Sequence, residues 1–355
     1  MKTANYLLTA LLAGMLASGA QAQDNSNPVI QVQPDGVPDL ARQAARDYRD
    51  RARFPHWSEA VPPGHDDPVK VKRAPTVQRL PQGDDWQLAT WTSGVAYQAG
   101  QAVTLFARIE TVADSDEDYP VLAFERRNRL TWSLTATVAD REDGELATVR
   151  YRDDGVSPDE RSGDGVYTAS FVLPADAAPE RGTAKELGVF ITAENDEGEQ
   201  LKTVGGVLFS HPAAALTGRF EDAVEDGNLV IRAEVDVQAA GRFHLSGTVQ
   251  SPRGIPLATG RNAFELQPGT QWVDLTFYGL ALNERGAAGP YVLGSVSLAT
   301  VNGMPNALGP VIENGHRTRP YSLAQFHDRS FGREDLVEAA KRLERSAANR
   351  ADGAP

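Results

Sequence analysis

The stretch from Leu229 to Val237 has the sequence LVIRAEVDV, with an apolar residue at every odd-numbered position and Arg, Glu and Asp at later even ones. Successive side chains of a β-strand point to opposite faces of its sheet. The pattern therefore predicts a strand that is buried on one face and solvated on the other. Trp272–Phe277 alternates in the same way, so this part of the chain is expected to form sheets with one apolar face.

Similar short runs, rich in β-branched and aromatic residues, recur between Gly, Pro and Asp turns. They are Ala102–Ile109, Leu130–Val138, Ala147–Tyr151, Gly165–Leu173, Lys185–Ala193, Leu201–Phe209, Asn228–Val237, Arg242–Val249, Ala263–Leu266, Gln271–Phe277 and Tyr291–Ala299. Many short strands with frequent turns and no helices between them are typical of β-sandwiches. The sequence predicts an all-β fold of two tandem immunoglobulin-like sandwiches, residues 86–212 and 213–330.

The segments outside these two domains differ in composition. Residues 23–85 are rich in Pro, Asp, Arg and Gln, and we expect a mostly irregular linker, or a strap on the next domain, with one helix at Asp39–Arg53. In that helix Leu40, Ala44 and Tyr48 would share one face. Residues 331–355 are expected to form a C-terminal helix, from Glu334 to Arg345, and a tail.

The N-terminus has the pattern of a secretory signal peptide. Lys2 supplies the positive charge, residues 7–17 form a short apolar core, and Ala20-Gln21-Ala22 is a cleavage site. Residues 1–22 are therefore predicted to be removed, which makes the protein exported, either periplasmic or secreted, with no transmembrane segment after cleavage. The sequence has no cysteine, so disulfides and thiol chemistry are excluded.

The negative charge is concentrated in one segment. Residues 110–200 hold 22 Asp and Glu against 9 Lys and Arg, an excess equal to the net charge of −13 for the whole chain. Phosphate binding needs a basic surface, so nucleic acid is not expected as a partner. An acidic segment suits either a solvated surface or cation binding.

One acidic loop is the candidate metal site. Tyr151–Tyr167 has the sequence YRDDGVSPDERSGDGVY, with four aspartates that could donate oxygen ligands to Ca²⁺: Asp153, Asp154, Asp159 and Asp164. The alternative is structural, because Asp-Gly pairs form ordinary turns in which the carboxylate binds nearby backbone N–H groups. Nearby arginines could also neutralise the aspartates. Both interpretations stay open, and Ca²⁺ is the only cofactor that the sequence suggests.

The sequence indicates no catalytic residues. The six histidines have no metal-binding spacing, and no G-x-S-x-G motif is present. Trp132 and Trp272 lie in the middle of expected strands, so we predict that both belong to the hydrophobic core rather than to a sugar-binding surface.

Several motifs resemble one family of exported bacterial proteins. They are the linker Asp67–Arg73 with Thr76–Leu80, the segment from Trp91 into Gln101–Leu105, the Asp154-Gly155…Gly163–Tyr167 loop, Gly241–Phe243, Val273–Gly279 and Gly289-Pro290-Tyr291. Together they resemble the DUF4785 family, a domain of unknown function, over roughly residues 68–326. The loop and the Gly-Pro-Tyr strand also resemble choice-of-anchor X proteins. The resemblance implies tandem immunoglobulin-like domains and no particular activity.

Three functions are consistent with these features. The first is a non-catalytic exported protein that binds a protein or an envelope or extracellular ligand. The second is a hydrolase of a cell-envelope or extracellular polymer. The third is a structural or assembly subunit of an envelope complex. We favour the first, because neither a nucleophile nor a metal motif supports catalysis.

Overall fold

The computed structural model describes residues 37–82, 86–111, 130–141 and 144–352. Two compact units divide the chain: residues 56–329 form one, and the described parts of 1–55 and 330–355 form the other. The predicted signal peptide lies outside the described residues. Among the described residues, no helix combines the length and apolar character needed to cross a membrane.

The larger unit begins with a strap, residues 56–71, and then contains a first pair of sheets. Its strands are β2 Gln78–Gln82, β3 Trp86–Thr92, β4 Ala96–Tyr97, β5 Ala102–Thr111, β6 Trp132–Asp140, β7 Gly144–Arg150, β8 Tyr167–Val172, β9 Thr183–Asn195 and β10 Gln200–His211. They form a four-stranded sheet in the order β2-β3-β5-β8 and a five-stranded sheet in the order β4-β10-β9-β6-β7. Neighbours are antiparallel except β4 and β10.

One apolar core lies between these two sheets. Leu88 and Leu105 come from the first sheet and Leu134, Leu187 and Phe209 from the second, and all five are essentially inaccessible to solvent. Trp86 and Trp132 meet edge to face, with 5.4 Å between ring centroids, an arrangement that aromatic pairs favour. The core role predicted for Trp132 is confirmed.

A second pair of sheets follows. Its strands are β1 Ser58–Ala60, β11 Ala214–Glu225, β12 Asn228–Val237, β13 Gly241–Gln250, β14 Pro256–Leu266, β15 Gly269–Phe277, β16 Val292–Thr300 and β17 Ala307–Arg317. The five-stranded sheet has the order β1-β14-β13-β16-β17, and the three-stranded sheet has the order β11-β12-β15. A short helix, α3 (Gly279–Arg285), follows β15.

The inner faces of this second pair approach closely at Gly247. A Cβ atom at position 247 on β13 would lie 2.7 Å from Cδ2 of Leu275 on β15. Glycine allows this close packing, because a side chain at position 247 would displace the Leu275 side chain and crowd the Ser295 carbonyl, 3.1 Å away. It follows that Leu275 faces inward and that its neighbours on β15, Asp274 and Thr276, face outward.

The strap covers the outer face of the five-stranded sheet. Gly247 faces inward, so its neighbour Thr248 and the cross-strand partner Ser295 face outward, yet both are fully buried. A short helix, α2 (Pro68–Val71), contacts β13 and β16 there. Its N-cap residue, Asp67, accepts hydrogen bonds from the backbone N–H of Val69 and Lys70 and from the Ser295 hydroxyl, the last at 2.7 Å.

The strap also ties the edges of this sheet pair together. β1 pairs antiparallel with β14. The Ser58 hydroxyl donates to the Thr259 carbonyl at 2.7 Å and accepts from the N–H of Tyr278 at 2.9 Å. At the other end, Lys70 forms an ion pair with Glu313 on β17, with 2.8 Å between Nζ and the carboxylate. The segment expected to be mostly irregular therefore contains β1, α2 and β2, and its strap lies on the second sheet pair.

The smaller unit is a pair of helices, α1 (Val37–Ala52) and α4 (Glu334–Asp352). The N–H of Arg333 donates to the Ala52 carbonyl at 2.8 Å, so the end of α1 lies at the start of α4. Arg49 binds both carboxylate oxygens of Glu344, at 2.9 and 2.7 Å. Alanines, among them Ala45 and Ala340, fill the contact.

The coarse fold prediction is confirmed: the protein is mostly β, with several antiparallel sheets and a C-terminal helix. Two details were wrong. Trp272 is 39% exposed and does not belong to the core. In α1 the predicted positions Ala44 and Tyr48 are half-buried beside the buried Ala45, whereas Leu40, the third predicted position, is exposed.

Candidate functional site

The acidic loop connects β7 to β8 and is held by its own carboxylates. Asp153 accepts hydrogen bonds from the backbone N–H groups of Gly163 at 2.6 Å, Asp164 at 3.2 Å and Gly165 at 3.1 Å. Asp159, which is buried, accepts from the N–H of Gly155 at 2.6 Å. Asp153 therefore joins the two ends of the loop, and Asp159 closes a shorter turn within it.

The other two aspartates form local turns. Asp154 accepts from the N–H of Val156 and Asp164 from the N–H of Val166, each at 2.9 Å and two residues ahead, which is an Asx turn. Arg152 is 3.8 Å from Asp154. Gly155 has φ of 70°, and a Cβ there would lie 3.0 Å from the Ser162 nitrogen, so a glycine is needed at this position.

This geometry supports the structural interpretation of the loop. Each of the four aspartates already serves backbone N–H groups. In the part of the chain that the structure describes, no group of three or more His, Asp or Glu side chains is arranged to hold a metal ion. The Ca²⁺ assignment to Asp153, Asp154, Asp159 and Asp164 stays a prediction.

A second polar cluster was not found from the sequence. Asp222 on β11 accepts hydrogen bonds from Tyr321 at 2.5 Å, from His316 Nε2 at 2.7 Å and from Arg319 Nε at 3.2 Å. The Asp222 side chain is 6% exposed. Ninety-four residues separate Asp222 from His316, so no local motif could indicate that they meet.

The cluster perturbs the acidity of its members. Burial of Asp222 opposes its ionisation, but the hydrogen bonds from Tyr321, His316 and Arg319 outweigh burial and lower the pKa of the carboxyl. Burial, together with the bond to Asp222, raises the pKa of Tyr321 to about 12. The cluster joins β11 to β17 and the segment after it, so it closes one side of the second sheet pair.

A third cluster lies on the outer face of the β11-β12-β15 sheet. Glu234 on β12 is directly opposite Trp272 on β15 in the strand register. The Glu234 carboxylate accepts from the Thr217 hydroxyl and from Arg219 Nη1, each at 2.9 Å. The Arg219 guanidinium lies over the Trp272 ring, 5.7 Å from its centroid.

A β-bulge places Thr217 and Arg219 in this cluster. The register of β11 against β12 shifts between Leu216 and Phe220, and Gly218 within the bulge has φ of 84°. A bulge with a left-handed glycine bends the strand and redirects its side chains. Here it directs two side chains from the edge strand onto one carboxylate of the central strand.

Burial differs sharply within the cluster. The Glu234 side chain is 8% exposed and that of Arg219 71%. A carboxylate is rarely so buried unless it is paired, and Thr217 and Arg219 satisfy it. Trp272 and Arg219 therefore present an aromatic and a cationic group to solvent, and the Glu234 carboxylate beneath them is held in place.

These features define a mostly β protein of antiparallel sheets. In its second sheet pair the strap covers one outer face, and the other outer face is open. Residues 213–305 match the model of the C-terminal domain of the DUF4785 family, a domain of unknown function. The family resemblance expected from the sequence is thereby confirmed. A comparison with curated proteins found no match.

Three solved structures are similar to this chain. A DUF4785 family protein from Legionella pneumophila is 16% identical, over 68% of this chain and 59% of that one, with a TM-score of 0.41. A tetra-tandem repeat from the extending region of a large adhesion protein is 12% identical, over 68% and 57%, with a TM-score of 0.20. Squid arrestin is 9% identical, over 70% and 98%, with a TM-score of 0.21. The chain thus spans less than two thirds of the first two proteins.

Proposed function

We propose that this is an exported, non-catalytic binding protein built on two tandem immunoglobulin-like sandwiches, and that it binds an envelope or extracellular ligand. The arrangement of sheets supports the sandwich assignment. In each pair, two mainly antiparallel sheets enclose apolar side chains between their inner faces, as in β-sandwiches.

One observation carries the binding proposal: of the two outer faces of the second sheet pair, one is covered by the strap and the other is exposed. The strap covers the five-stranded face and buries Thr248 and Ser295. The three-stranded face keeps Trp272 39% exposed, and the paired Arg219 and Glu234 hold it in place. An exposed aromatic side chain beside an arginine is typical of the anchor positions of binding surfaces.

The experiment measures how much labelled mature protein binds to isolated envelope material and to the extracellular fraction of the native host. We expect the wild-type protein to be retained and Trp272→Ala to lose most of this binding. Ile255→Ala is the matched control, because Ile255 is an exposed apolar residue on another part of the same unit, 48% exposed. Equal retention of wild type and Trp272→Ala would overturn the proposal.

The hydrolase alternative would rest on the hydrogen bond between Asp222 and His316, but the geometry of this bond differs from that of a catalytic triad. In Ser-His-Asp triads the aspartate binds Nδ1 and Nε2 faces the nucleophile, whereas Asp222 lies against Nε2. Turnover of a host envelope polymer that is abolished in His316→Gln would establish this alternative in place of the binding function.

A further inference from the structure

We propose that the open face of the β11-β12-β15 sheet binds a neutral saccharide, with Trp272 as the stacking residue and Arg219, oriented by the buried Glu234, as the hydroxyl ligand. This inference rests on the proposed binding function and names the ligand class of the same surface. Three properties of the face carry it: its aromatic group, its fixed polar pair and its charge.

The aromatic group suits the apolar face of a sugar ring. The face of an indole is electron-rich, so it attracts the polarised C–H groups on one side of a pyranose ring. The inward-facing residues of β15 include Val273 and Leu275, which are buried. Trp272 has the opposite parity, so it projects from the outer face of the strand. Arg219 lies over part of the ring, with Cζ 5.7 Å from its centroid, so a sugar would contact the 39% of Trp272 that remains accessible.

The polar pair beside the ring suits hydroxyl groups, which both donate and accept hydrogen bonds. A carboxylate has about four acceptor positions and a guanidinium five N–H donors. Glu234 accepts from Thr217 and Arg219, and Arg219 uses Nη1 for that bond. Donor capacity therefore remains on Arg219, whose side chain is 71% exposed, whereas Glu234, 8% exposed, orients the guanidinium.

The pair is also held in place before any ligand binds. The bulge sets the positions of Thr217 and Arg219, and the N–H of Arg219 donates to the Thr217 hydroxyl at 3.3 Å. Burial holds Glu234, and the strand register places it directly opposite Trp272. Preorganisation of this kind reduces the entropy lost on binding.

The charge of the face favours a neutral ligand. By strand parity, the outward positions near Trp272 include Asp236, Asp274 and Thr270. Arg232, the other outward cation here, is already paired with Glu225 at 2.9 Å and Asp274 at 3.3 Å. Carboxylates therefore outnumber guanidinium groups, so phosphates and acidic sugars are repelled.

The surroundings of Trp272 distinguish a saccharide from a protein partner. Protein interfaces bury a central apolar patch of several side chains. Around Trp272 the side chains on the same face, Glu234, Asp274 and Thr270, are polar. A sugar has an apolar ring face and polar hydroxyl groups. A single aromatic ring surrounded by hydroxyl, carboxylate and guanidinium groups therefore suits a sugar better than a protein partner.

The test is calorimetric titration of the full mature chain with three neutral oligosaccharides: chitohexaose, cellohexaose and xylohexaose. We expect at least one to bind. Trp272→Ala and Arg219→Ala should each weaken it about tenfold or more, which corresponds to ~1.4 kcal/mol. Trp272→Phe, which retains a ring, should recover part of the loss, and Ile255→Ala should bind like wild type. Arg219→Ala leaves the buried Glu234 carboxylate with Thr217 alone, so the thermal unfolding of this variant is measured alongside, and Trp272→Ala decides the test if the variant is unfolded.

Two outcomes would overturn the saccharide assignment. One is that none of the three sugars binds the wild-type chain, and the other is that binding is unchanged in both Trp272→Ala and Arg219→Ala. A third result would replace the saccharide with a protein partner. In that case retention on envelope material would depend on Trp272, would persist after removal of all polysaccharide, and would be lost on proteolysis of the material. That last result would leave the proposed binding function intact.

Discussion

Asp222 is the residue whose replacement should be most informative about stability. Its buried carboxylate accepts from Tyr321, His316 and Arg319. Asparagine keeps one acceptor oxygen but no charge, so the hydrogen bonds from the buried Tyr321 and the half-buried His316 are weakened or lost, which costs about 1–3 kcal/mol. We expect Asp222→Asn to lower the free energy of unfolding by that amount in urea denaturation. Asp226→Asn, at an exposed aspartate with φ of 50° where Asn is readily accommodated, should change it little.

The same residue predicts a dependence of stability on pH. The folded-state pKa of Asp222 is lowered below its usual value. Its stabilising contribution is therefore fully present above the unfolded-state pKa of ~3.9 and is lost as the pH falls through the folded-state pKa. Below pH ~4 the difference in unfolding free energy between wild type and Asp222→Asn should shrink. A difference that stays constant down to pH ~2 would contradict this assignment.

Asp153 has the largest structural role among the four loop aspartates. It serves three backbone N–H groups, whereas Asp164 serves one. We expect Asp153→Ala to destabilise the protein by about 1–3 kcal/mol and Asp164→Ala by about 1 kcal/mol or less. Hydrogen exchange at Gly163–Gly165 should accelerate in the first variant. Equal effects of the two substitutions would contradict the hydrogen-bonding account of the loop.

The Ca²⁺ prediction for this loop is tested by thermal melting. Because no three of these carboxylates converge on one point among the described residues, we expect the melting temperature to be the same in Ca²⁺ and in chelator. A specific site filled at about 100 times Kd would add ~2.7 kcal/mol to the stability. A rise in melting temperature that is absent from Asp153→Asn would establish the cation site instead.

Among the elements, the strap is the one whose loss should loosen the second sheet pair. Asp67 both caps α2 and binds the buried Ser295. Loss of an N-cap costs about 1 kcal/mol. The buried Ser295 hydroxyl would also lose its acceptor, which adds to this cost. We expect Asp67→Ala to raise hydrogen exchange in β13 and β16, and the exposed neighbour Asp66→Ala to have no such effect. Unchanged exchange in Asp67→Ala would mean that the strap does not depend on this residue.

The helix pair offers a matched comparison at adjacent positions. Ala347 is 1% exposed, while Ala348 is exposed. A carboxylate placed at this buried, apolar contact would lose its hydration without gaining a partner, which is energetically unfavourable. We expect Ala347→Asp to reduce the helical circular dichroism signal and Ala348→Asp to preserve it. Equal signals from the two variants would contradict the helix packing.

The elements also show what the sequence could and could not predict. β12 was predicted with its observed bounds, because its alternation is uninterrupted. β11 and β17 were missed, since Gly218 and Arg219 in a bulge and Pro310 in β17 break the alternation. Trp272 was assigned to the core from its position within a strand. The parity of Val273, Leu275 and Phe277 would have placed it on the outer face.

At the scale of the whole molecule, the clusters depend on contacts between distant segments. Asp222 and His316 lie on different sheets, and the strap reaches β14, β16 and β17 from a position far upstream. Composition and periodicity identify which strands exist, but not which of them become neighbours. The covered and the open face therefore emerged only from the tertiary structure.

The central claim is that the open face bearing Trp272 is the binding surface. Hydroxyl-radical footprinting before and after addition of envelope material tests it most directly. In the free protein Trp272 should be oxidised readily, and Trp86 and Trp132, 3% and 7% exposed, should be protected. On addition, oxidation of Trp272 should fall, while that of Met304, 82% exposed, stays constant. Unchanged oxidation of Trp272 in material that retains the protein would contradict the account.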